Sequence, residues 1–291
     1  MQEKRGTLYL CPTPIGNLED ITFRALKILK QVDFIAAEDT RVTMKLLNHY
    51  EIKTPLISYH EHNQKQRGPE IIQLLLKGKN VALVTDAGTP GISDPGEDLV
   101  KLAVAEGIAV APLPGAVAAI CALVASGLST ERFVFEGFLP RKPKERKQRL
   151  MQLAAEPRTV ILYEAPHRLL KSLEYLKETL GNRRITVARE ITKLHEEFFR
   201  GTIEQAIEKF ENTQPRGEII LVIEGLDELL ENAKTKIVSQ QNTQNPEEIK
   251  QKLESIMNDY MAQGMSKKAA MKKAAEELGI SRNEAYALLL K

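Results

Sequence analysis

The sequence predicts two α/β domains followed by an all-helical C-terminal part. Over residues 1–127, short apolar strands alternate with helices, which is typical of a largely parallel sheet with right-handed crossovers. Residues 128–226 predict a second α/β domain, whose strands lie close enough along the chain for antiparallel pairing. Residues 227–245 are polar and rich in glutamine and asparagine, which indicates a linker, and residues 246–291 have a helical pattern.

Composition narrows the class of protein. The 291 residues exceed one average domain, and 41 lysines and arginines nearly balance 39 acidic residues, so any nucleic-acid surface must be a local basic patch. The two cysteines, Cys11 and Cys121, indicate a reducing compartment without a disulfide framework. The sequence has no signal-peptide pattern and no apolar run long enough to span a membrane, so we expect a cytoplasmic protein.

The first domain opens with a strand, and a helix follows it. Asn17 is predicted to be the N-cap of this helix, with Asp20 at the third helical position. Pro95 suits the first position of a later helix that ends near Gly107. The strands predicted for this domain are Thr7–Cys11, Val32–Ala36, Pro55–Ser58, Val81–Val84 and Ile108–Ala111.

The same signals place the elements of the second domain and the C-terminal helices. Pro166 suits the first position of a helix that ends at Gly181. Helices Ser266–Leu278 and Ser281–Leu290 flank Gly279 with helix-turn-helix spacing, which suits packing or dimerisation as well as nucleic-acid binding. The strands predicted for the second domain are Phe133–Gly137, Thr159–Tyr163, Ile185–Ala188, Glu197–Arg200 and Glu218–Glu224.

The turn after the fourth strand is the strongest candidate for a ligand site. The apolar run Val81–Val84 ends in Thr85-Asp86, and the bend Ala87–Gly91 contains two glycines and a proline. Glycine lets a ligand approach the backbone closely, proline fixes the bend, and open α/β sheets bind ligands at the carboxyl ends of their strands. The alternative is a tight turn that joins a strand to a helix without a ligand.

Several common site motifs are absent from the sequence. It contains no dinucleotide fingerprint after a strand, no P-loop, no nucleophile elbow and no cysteine pair at metal-binding spacing. His60 and His62 flank Glu61. Because residues two apart on a helix face different ways, these histidines would form a zinc site only from a strand or a loop.

Several long motifs occur in one order along the chain. They are Leu8–Asp20, Ala37–Arg41, Ser58–Asn63, Val84–Gly96, Pro114–Ala116, Phe135–Pro140, Ile161–Arg168, Val187–Lys193 and Arg216–Glu224. Together they resemble the tetrapyrrole-methylase superfamily. Within it they resemble the bacterial branch that methylates the ribose 2′-hydroxyl of a cytidine in the decoding region of 16S ribosomal RNA. The closing helices are also similar to the C-terminal extension of that branch.

The resemblance implies two α/β domains of the tetrapyrrole-methylase type with S-adenosyl-L-methionine in the cleft between them, and a homodimer. This cofactor is a sulfonium cation joined to adenosine, so it needs acceptors for its hydroxyls and an apolar slot for its adenine. The glycines of the turns equally suit close packing of a helix on a sheet. The expected cofactor-binding residues are Pro14, Gly16, Asp86, Gly88, Thr89, Pro90, Ile92, Ser93, Gly115, Ala116, Tyr163, Glu164 and Glu218.

Methyl transfer to a ribose hydroxyl needs alignment and a base for a weakly acidic group. The candidates for the base are Glu38, Asp39, His60, Glu61 and His62. Glu38 leads because it follows an apolar strand whose end is expected to be partly shielded from water. Arg41 suits an RNA phosphate or an ion pair with Glu38, Asp39 equally suits a helix N-cap, and the histidines equally suit a solvated loop.

The RNA-binding residues are expected in the densest basic stretch, which follows Pro140 in a connection of the second domain. Clustered cations bind phosphates with release of counterions, and the alternative is a solvated helix face. The residues are Arg141, Lys142, Lys144, Arg146 and Lys147.

The function expected from the residues and the resemblance is methylation of 16S ribosomal RNA in the small subunit. One alternative is a tetrapyrrole or corrinoid methyltransferase of the same fold, which would need neither the basic stretch nor the C-terminal helices. Another is a non-enzymatic RNA-binding module, which would not need the glycine- and proline-rich turns at strand ends.

Overall fold

A computed structural model describes residues 5–213, 215–226, 246–262, 264–278 and 280–289. The chain divides into two compact units, Met1–Leu226 and Asp227–Lys291. The first unit contains two five-stranded sheets, and the second contains helices. The predicted linker, residues 227–245, lies outside the described residues, and the division of the first unit at residue 127 stays a prediction.

The first sheet is parallel throughout, as the alternation of strands and helices predicts. Its strand order is β3-β2-β4-β1-β5, so the apolar and fully buried β4 lies at its centre. The strands are β1 Thr7–Leu10, β2 Phe34–Ala37, β3 Leu56–Ser58, β4 Val81–Val84 and β5 Ala109–Pro112. The helices between them are α1 Phe23–Gln31, α2 Thr40–His49, α3 Gln64–Leu76 and α4 Gly96–Ala105.

The start of α1 differs from the prediction. Asn17 caps a short 3₁₀ turn, Leu18–Asp20, by accepting the backbone NH of Glu19. The helix itself begins after Thr22, whose hydroxyl accepts the NH of Ala25 at 3.0 Å. Both residues are good N-caps, so local chemistry alone did not decide between them.

The second sheet is mixed, with the order β6-β7-β10-β8-β9. β6 runs parallel to β7, and the other neighbours are antiparallel. The strands are β6 Phe133–Phe138, β7 Thr159–Glu164, β8 Arg184–Arg189, β9 Glu197–Thr202 and β10 Ile219–Ile223. Three further helices of this half are α6 Pro143–Ala154, α7 Leu169–Leu180 and α8 Ile203–Glu211. The fold class expected from the sequence is thereby confirmed.

Helix α5, Ala118–Ser126, follows a strand of the first sheet but packs on the second. Its Ala122 and Leu123 share a core with Ile161 of β7. The opposite face of α5 is also apolar, since Ile120 is 41% exposed and Val124 is 68% exposed. The helix is therefore apolar on both faces although only one face is covered within the described chain.

The C-terminal unit contains α9 Pro246–Ala262, α10 Lys267–Glu277 and α11 Arg282–Leu289. Leu253 and Met257 of α9 pack with Met271 of α10. The lysines at the start of α10 are exposed, and Gly279, the predicted turn, lies outside the described residues. No helix in the described part of the chain is long and apolar enough to cross a membrane.

Candidate functional site

Two adjoining cavities lie at the carboxyl ends of the strands of the first sheet, where open α/β sheets usually bind ligands. The first cavity, of about 410 Å³, is lined from both sheets and includes Glu38, Tyr163 and Phe138. The second cavity, of about 470 Å³, lies against α2 and the turn after β1. Both cavities share Asp86 and Glu218, so acidic side chains lie where the two meet.

The turns beneath these cavities brace one another. The NH of Thr13 donates to the carbonyl of Gly88 at 2.9 Å, and the NH of Gly88 donates back at 3.1 Å. The hydroxyl of Thr89 donates to the carbonyl of Ala116 at 2.9 Å. A Cβ atom on Gly115 would lie 2.3 Å from Cβ of Pro12, so these turns fit only without a side chain there. The predicted cofactor residues that line neither cavity are Gly88, Thr89, Pro90, Gly115 and Ala116.

Glu38 follows β2 and faces the first cavity. Its Oε2 atom accepts the hydroxyl of Thr85 at 2.7 Å. Thr85 is only 8% exposed and follows β4, the neighbour of β2, while its carbonyl accepts the hydroxyl of Thr13 at 3.1 Å. The neighbouring strand therefore fixes the orientation of this carboxylate. Sequence reasoning missed both threonines.

Asp39 and Arg41 form a local unit outside both cavities. Asp39 caps α2 by accepting the backbone NH of Arg41 at 2.8 Å, and it also accepts the guanidinium at 2.7 Å. These hydrogen bonds from Arg41 lower the pKa of Asp39 to about 2. The N-cap interpretation of Asp39 is confirmed, and Arg41 pairs with Asp39 rather than with Glu38.

The central turn carries two carboxylates with raised pKa values. Burial raises the pKa of Asp86, which accepts the NH of Asp39 at 3.0 Å. Burial also raises the pKa of Asp94, whose carboxylate accepts the NH of Gly91 at 2.9 Å and that of Gly96 at 2.7 Å. Asp94 thus shapes the segment that brings Ile92 and Ser93 to the first cavity. The sequence reasoning missed Asp94, although an aspartate just before a helix is a capping signal.

The second sheet supplies the opposite wall. Burial raises the pKa of Tyr163, whose ring packs against Phe135 and Phe138 with centroid distances of 5.0 and 5.6 Å. Glu164 is almost fully buried and is already bound by the hydroxyl of Ser172 and by Arg168 at 3.4 Å. Glu218, the third expected cofactor-binding residue of the second domain, is largely exposed at the junction of the cavities.

A loop of the second sheet closes the far side of the second cavity. Lys193 donates to Glu190 at 2.8 Å and to Glu218 at 3.2 Å. A Cβ atom on Gly16 would lie 2.4 Å from Cγ of Lys193, so the turn after β1 meets this loop closely. Pro14 and Gly16 line the same cavity.

His60 lies at the edge of the first sheet and lines neither cavity. Its backbone NH donates to the side-chain oxygen of Asn63 at 2.8 Å. The centroid of its ring lies 5.9 Å from that of His62. Among the described residues, no three histidine, cysteine or acidic side chains are grouped as metal ligands.

The basic segment, residues 141–149, begins three residues after cavity-lining Phe138. Lys142 is the N-cap of α6, and residues 143–149 form the first half of that helix. Part of its charge is already engaged. Lys142 pairs with Glu145 at 3.0 Å, and the guanidinium of Arg146 lies 4.3 Å from the ring centroid of Tyr175. Within this segment, the exposed cations that have no acidic partner among the described residues are Arg141, Lys144 and Lys147.

Comparison with known proteins gives three consistent findings. The family model of Tetrapyrrole (Corrin/Porphyrin) Methylases matches residues 7–207. The chain is 50% identical to the ribosomal RNA small subunit methyltransferase I of Synechocystis over 98% of both chains. It is 52% identical to the protein of that name from Thermotoga maritima over 220 residues, which cover 76% of this chain and 99% of the relative.

Among solved structures, a uroporphyrin-III-C-methyltransferase from Thermus thermophilus has a TM-score of 0.52 and 21% sequence identity. The match covers 75% of this chain and 94% of that chain. At this identity the likeness concerns the fold alone. The Thermotoga relative covers a similar share of this chain, 76%. Both matches are about as long as the first unit, Met1–Leu226.

Proposed function

This chain belongs to the tetrapyrrole methylase family, and on that premise we propose that it is a ribosomal RNA methyltransferase that uses S-adenosylmethionine. Its target is the ribose 2′-hydroxyl of a cytidine in the decoding region of 16S ribosomal RNA within the small subunit. The observation that carries the chemistry is Glu38, held by Thr85 at 2.7 Å in a cavity at the carboxyl ends of the parallel strands. The identity of about half of all residues to small-subunit methyltransferases supports the substrate class.

The residues of the two cavities suit this cofactor. When bound, S-adenosylmethionine supplies a methyl group on a positively charged sulfur. Asp86 and Glu218 are carboxylates at the junction of the cavities, and they offset a positive charge there. Ile15 and Ala87 provide apolar wall in both cavities, as an adenine needs. The volume of about 410 Å³ falls in the usual range of small-molecule sites, about 300–1,000 Å³.

Glu38 is the proposed acceptor for the proton of the 2′-hydroxyl. Since the hydroxyl of Thr85 occupies Oε2, the other carboxylate oxygen is the one directed to the substrate. Asp39 is the weaker candidate because Arg41 already neutralises it and it lines neither cavity. His60, Glu61 and His62 line neither cavity, so Glu38 is the base that the geometry favours among the five candidates.

The unpaired cations of the basic segment are the proposed contacts to RNA phosphates. We expect Arg141→Glu, Lys144→Glu and Lys147→Glu together to abolish methylation of small subunits while cofactor affinity persists, because phosphate binding depends on these charges. The matched control reverses three exposed lysines of α1 and the end of α3, namely Lys27, Lys30 and Lys77. Equal losses in both triple variants would show that only overall charge matters.

A second copy of the chain is the proposed partner of α5. Its outward face presents Ile120 and Val124 to solvent, and exposed apolar faces of this kind mark interfaces. Sedimentation of the wild type and of Val124→Lys tests the dimer, since a charge on that face is expected to shift the protein toward a monomer.

The cytoplasm is the proposed location, because the proposed ribosomal substrate is found there.

The function is tested on small ribosomal subunits that lack ribose methylation. Incubation with the chain and S-adenosylmethionine, followed by mapping of ribose methylation, is expected to give one modified cytidine in the decoding region. The family alternative is a tetrapyrrole or corrinoid substrate, and the basic segment disfavours it because such a substrate needs no phosphate contacts. Methylation of a tetrapyrrole with no transfer to ribosomal RNA would overturn the proposal.

A further inference from the structure

Phe138 is a solvent-exposed aromatic side chain in the first cavity. It is 52% exposed at the end of β6, and it lines the first cavity together with Glu38 and Asp86. Burial stabilises a large apolar side chain, so an exposed aromatic ring at a site is a feature to explain. The basic segment begins three residues further along the chain, at Arg141.

A bulge in β6 directs this ring to the cavity. The register shifts between Phe135 and Gly137, so that Phe135 lies opposite Ile161 and Phe138 lies opposite Tyr163. Since alternate residues of a strand share a face, both phenylalanines lie on the face of Ile161 and Tyr163, although they are three residues apart. In a regular strand Phe138 would lie on the opposite face.

Gly137 makes the bulge possible. Its φ is +64°, which is a left-handed conformation, and a Cβ atom would lie 3.4 Å from Oγ of Ser93 in the central turn. Bulges of this kind commonly re-aim a side chain near an active site. The ring is then held by Tyr163, at a centroid distance of 5.6 Å and an interplanar angle of 60°.

We propose that Phe138 stacks on the base of the target nucleotide and thereby positions its ribose at Glu38. The inference rests on the proposed function. Proteins that recognise RNA commonly stack unpaired bases on exposed aromatic rings, and such stacking tolerates any base. The ring lines the same cavity as Glu38, the proposed proton acceptor, and it precedes Arg141, the first of the proposed phosphate contacts, by three residues. It is a positioning residue, and no step of the reaction passes through it.

The absence of tryptophan from this chain allows a direct test. Phe138→Trp places the chain's single indole at the ring position, where it can be excited at wavelengths that the seven tyrosines do not absorb, and a stacked base quenches indole emission. We expect quenching when a single-stranded cytidine-containing RNA oligonucleotide is added. Phe133→Trp is the matched control, because Phe133 is a similarly exposed ring on the same strand, opposite Thr159. It is expected to keep its emission.

Activity gives the second readout. Phe138→Leu keeps an apolar side chain without a π-face and is expected to lower kcat/KM for small subunits about 10- to 100-fold. Phe138→Trp keeps a π-face and is expected to be more active than Phe138→Leu. Calorimetric affinity for S-adenosylmethionine is expected to be the same in both variants as in the wild type.

Three results would overturn the inference while leaving the proposed function intact. They are full activity of Phe138→Leu, a loss of cofactor affinity that accounts for its defect, and unchanged emission of Phe138→Trp when the RNA is added. A wild-type chain that leaves small subunits unmethylated overturns the proposed function, and this inference with it.

Discussion

Removing one hydroxyl tests whether Glu38 works through its neighbour on β4. Thr85→Val keeps the shape of a buried side chain but removes the donor that lies 2.7 Å from Oε2 of Glu38. A hydrogen bond to a charged group is worth about 1.5–3 kcal/mol. If the bond is needed in the transition state, this corresponds to a loss of about 10- to 150-fold in kcat. The assay is ribose methylation with saturating small subunits and cofactor.

A double-mutant cycle separates orientation from general damage. Glu38→Gln alone is expected to lower kcat by about a hundredfold or more, as removal of a general base does. If Thr85 acts only by orienting that carboxylate, the double variant is no slower than Glu38→Gln. The control is Thr54→Val, because Thr54 donates to the carbonyl of Leu29 at 2.6 Å, a bond made outside both cavities. It is expected to cost about 1 kcal/mol of stability and to leave kcat unchanged.

Losses that multiply in the double variant would refute this reasoning, since they would mean that Thr85 and Glu38 contribute independently. A Thr85→Val variant as active as the wild type would refute it as well. If Glu38→Gln is barely slower, the carboxylate is structural, and Asp39 becomes the next residue to replace.

Two further changes test the packing around the site, and a third tests an ion pair outside it. Gly88→Val places a branched side chain at a φ of +85° and is expected to lower the free energy of unfolding by about 1–2 kcal/mol. It is also expected to weaken cofactor binding, and an unchanged affinity in calorimetric titration would contradict this. Gly115→Ala brings Cβ to 2.3 Å from Cβ of Pro12 and is expected to lower the free energy of unfolding, measured in urea, by about 1–3 kcal/mol. An unchanged free energy of unfolding would show that the turn has room for a side chain. Arg158→Gln removes the side-chain hydrogen bond that lowers the pKa of Glu156 to about 2. A loss of stability is expected above the ordinary pKa of 4.5 and should vanish as the pH falls toward 2, whereas a loss that does not depend on pH would contradict the pairing.

Local patterns sufficed for the strands and for the central turn. The apolar runs place β2 and β4 correctly because both strands are largely buried on both faces and each is followed by a bend. The contact of Glu38 with Thr85 was beyond reach. These residues are 47 positions apart, and only the sheet order brings the ends of β2 and β4 together.

Two signals were present in the sequence but were not used. A glycine within a strand pattern indicates a bulge, and Gly137 forms one. A proline inside the basic segment, Pro143, is the first residue of α6 and marks the start of a helix. The ion pairs that engage Lys142 and Arg149 depend on the helix and on β6, so the number of cations left for RNA could not be read from the sequence.

The paired turns beneath the cavities have a consequence for how the site moves. The backbone NH groups of Thr13 and Gly88 each donate to the other residue's carbonyl, so neither is free to donate a hydrogen bond to a ligand. Both protons should exchange slowly with deuterated water even in the absence of any ligand. The two loops are therefore expected to move together. Opening or closing of the cavities then depends on the other walls, which the second sheet and α2 provide.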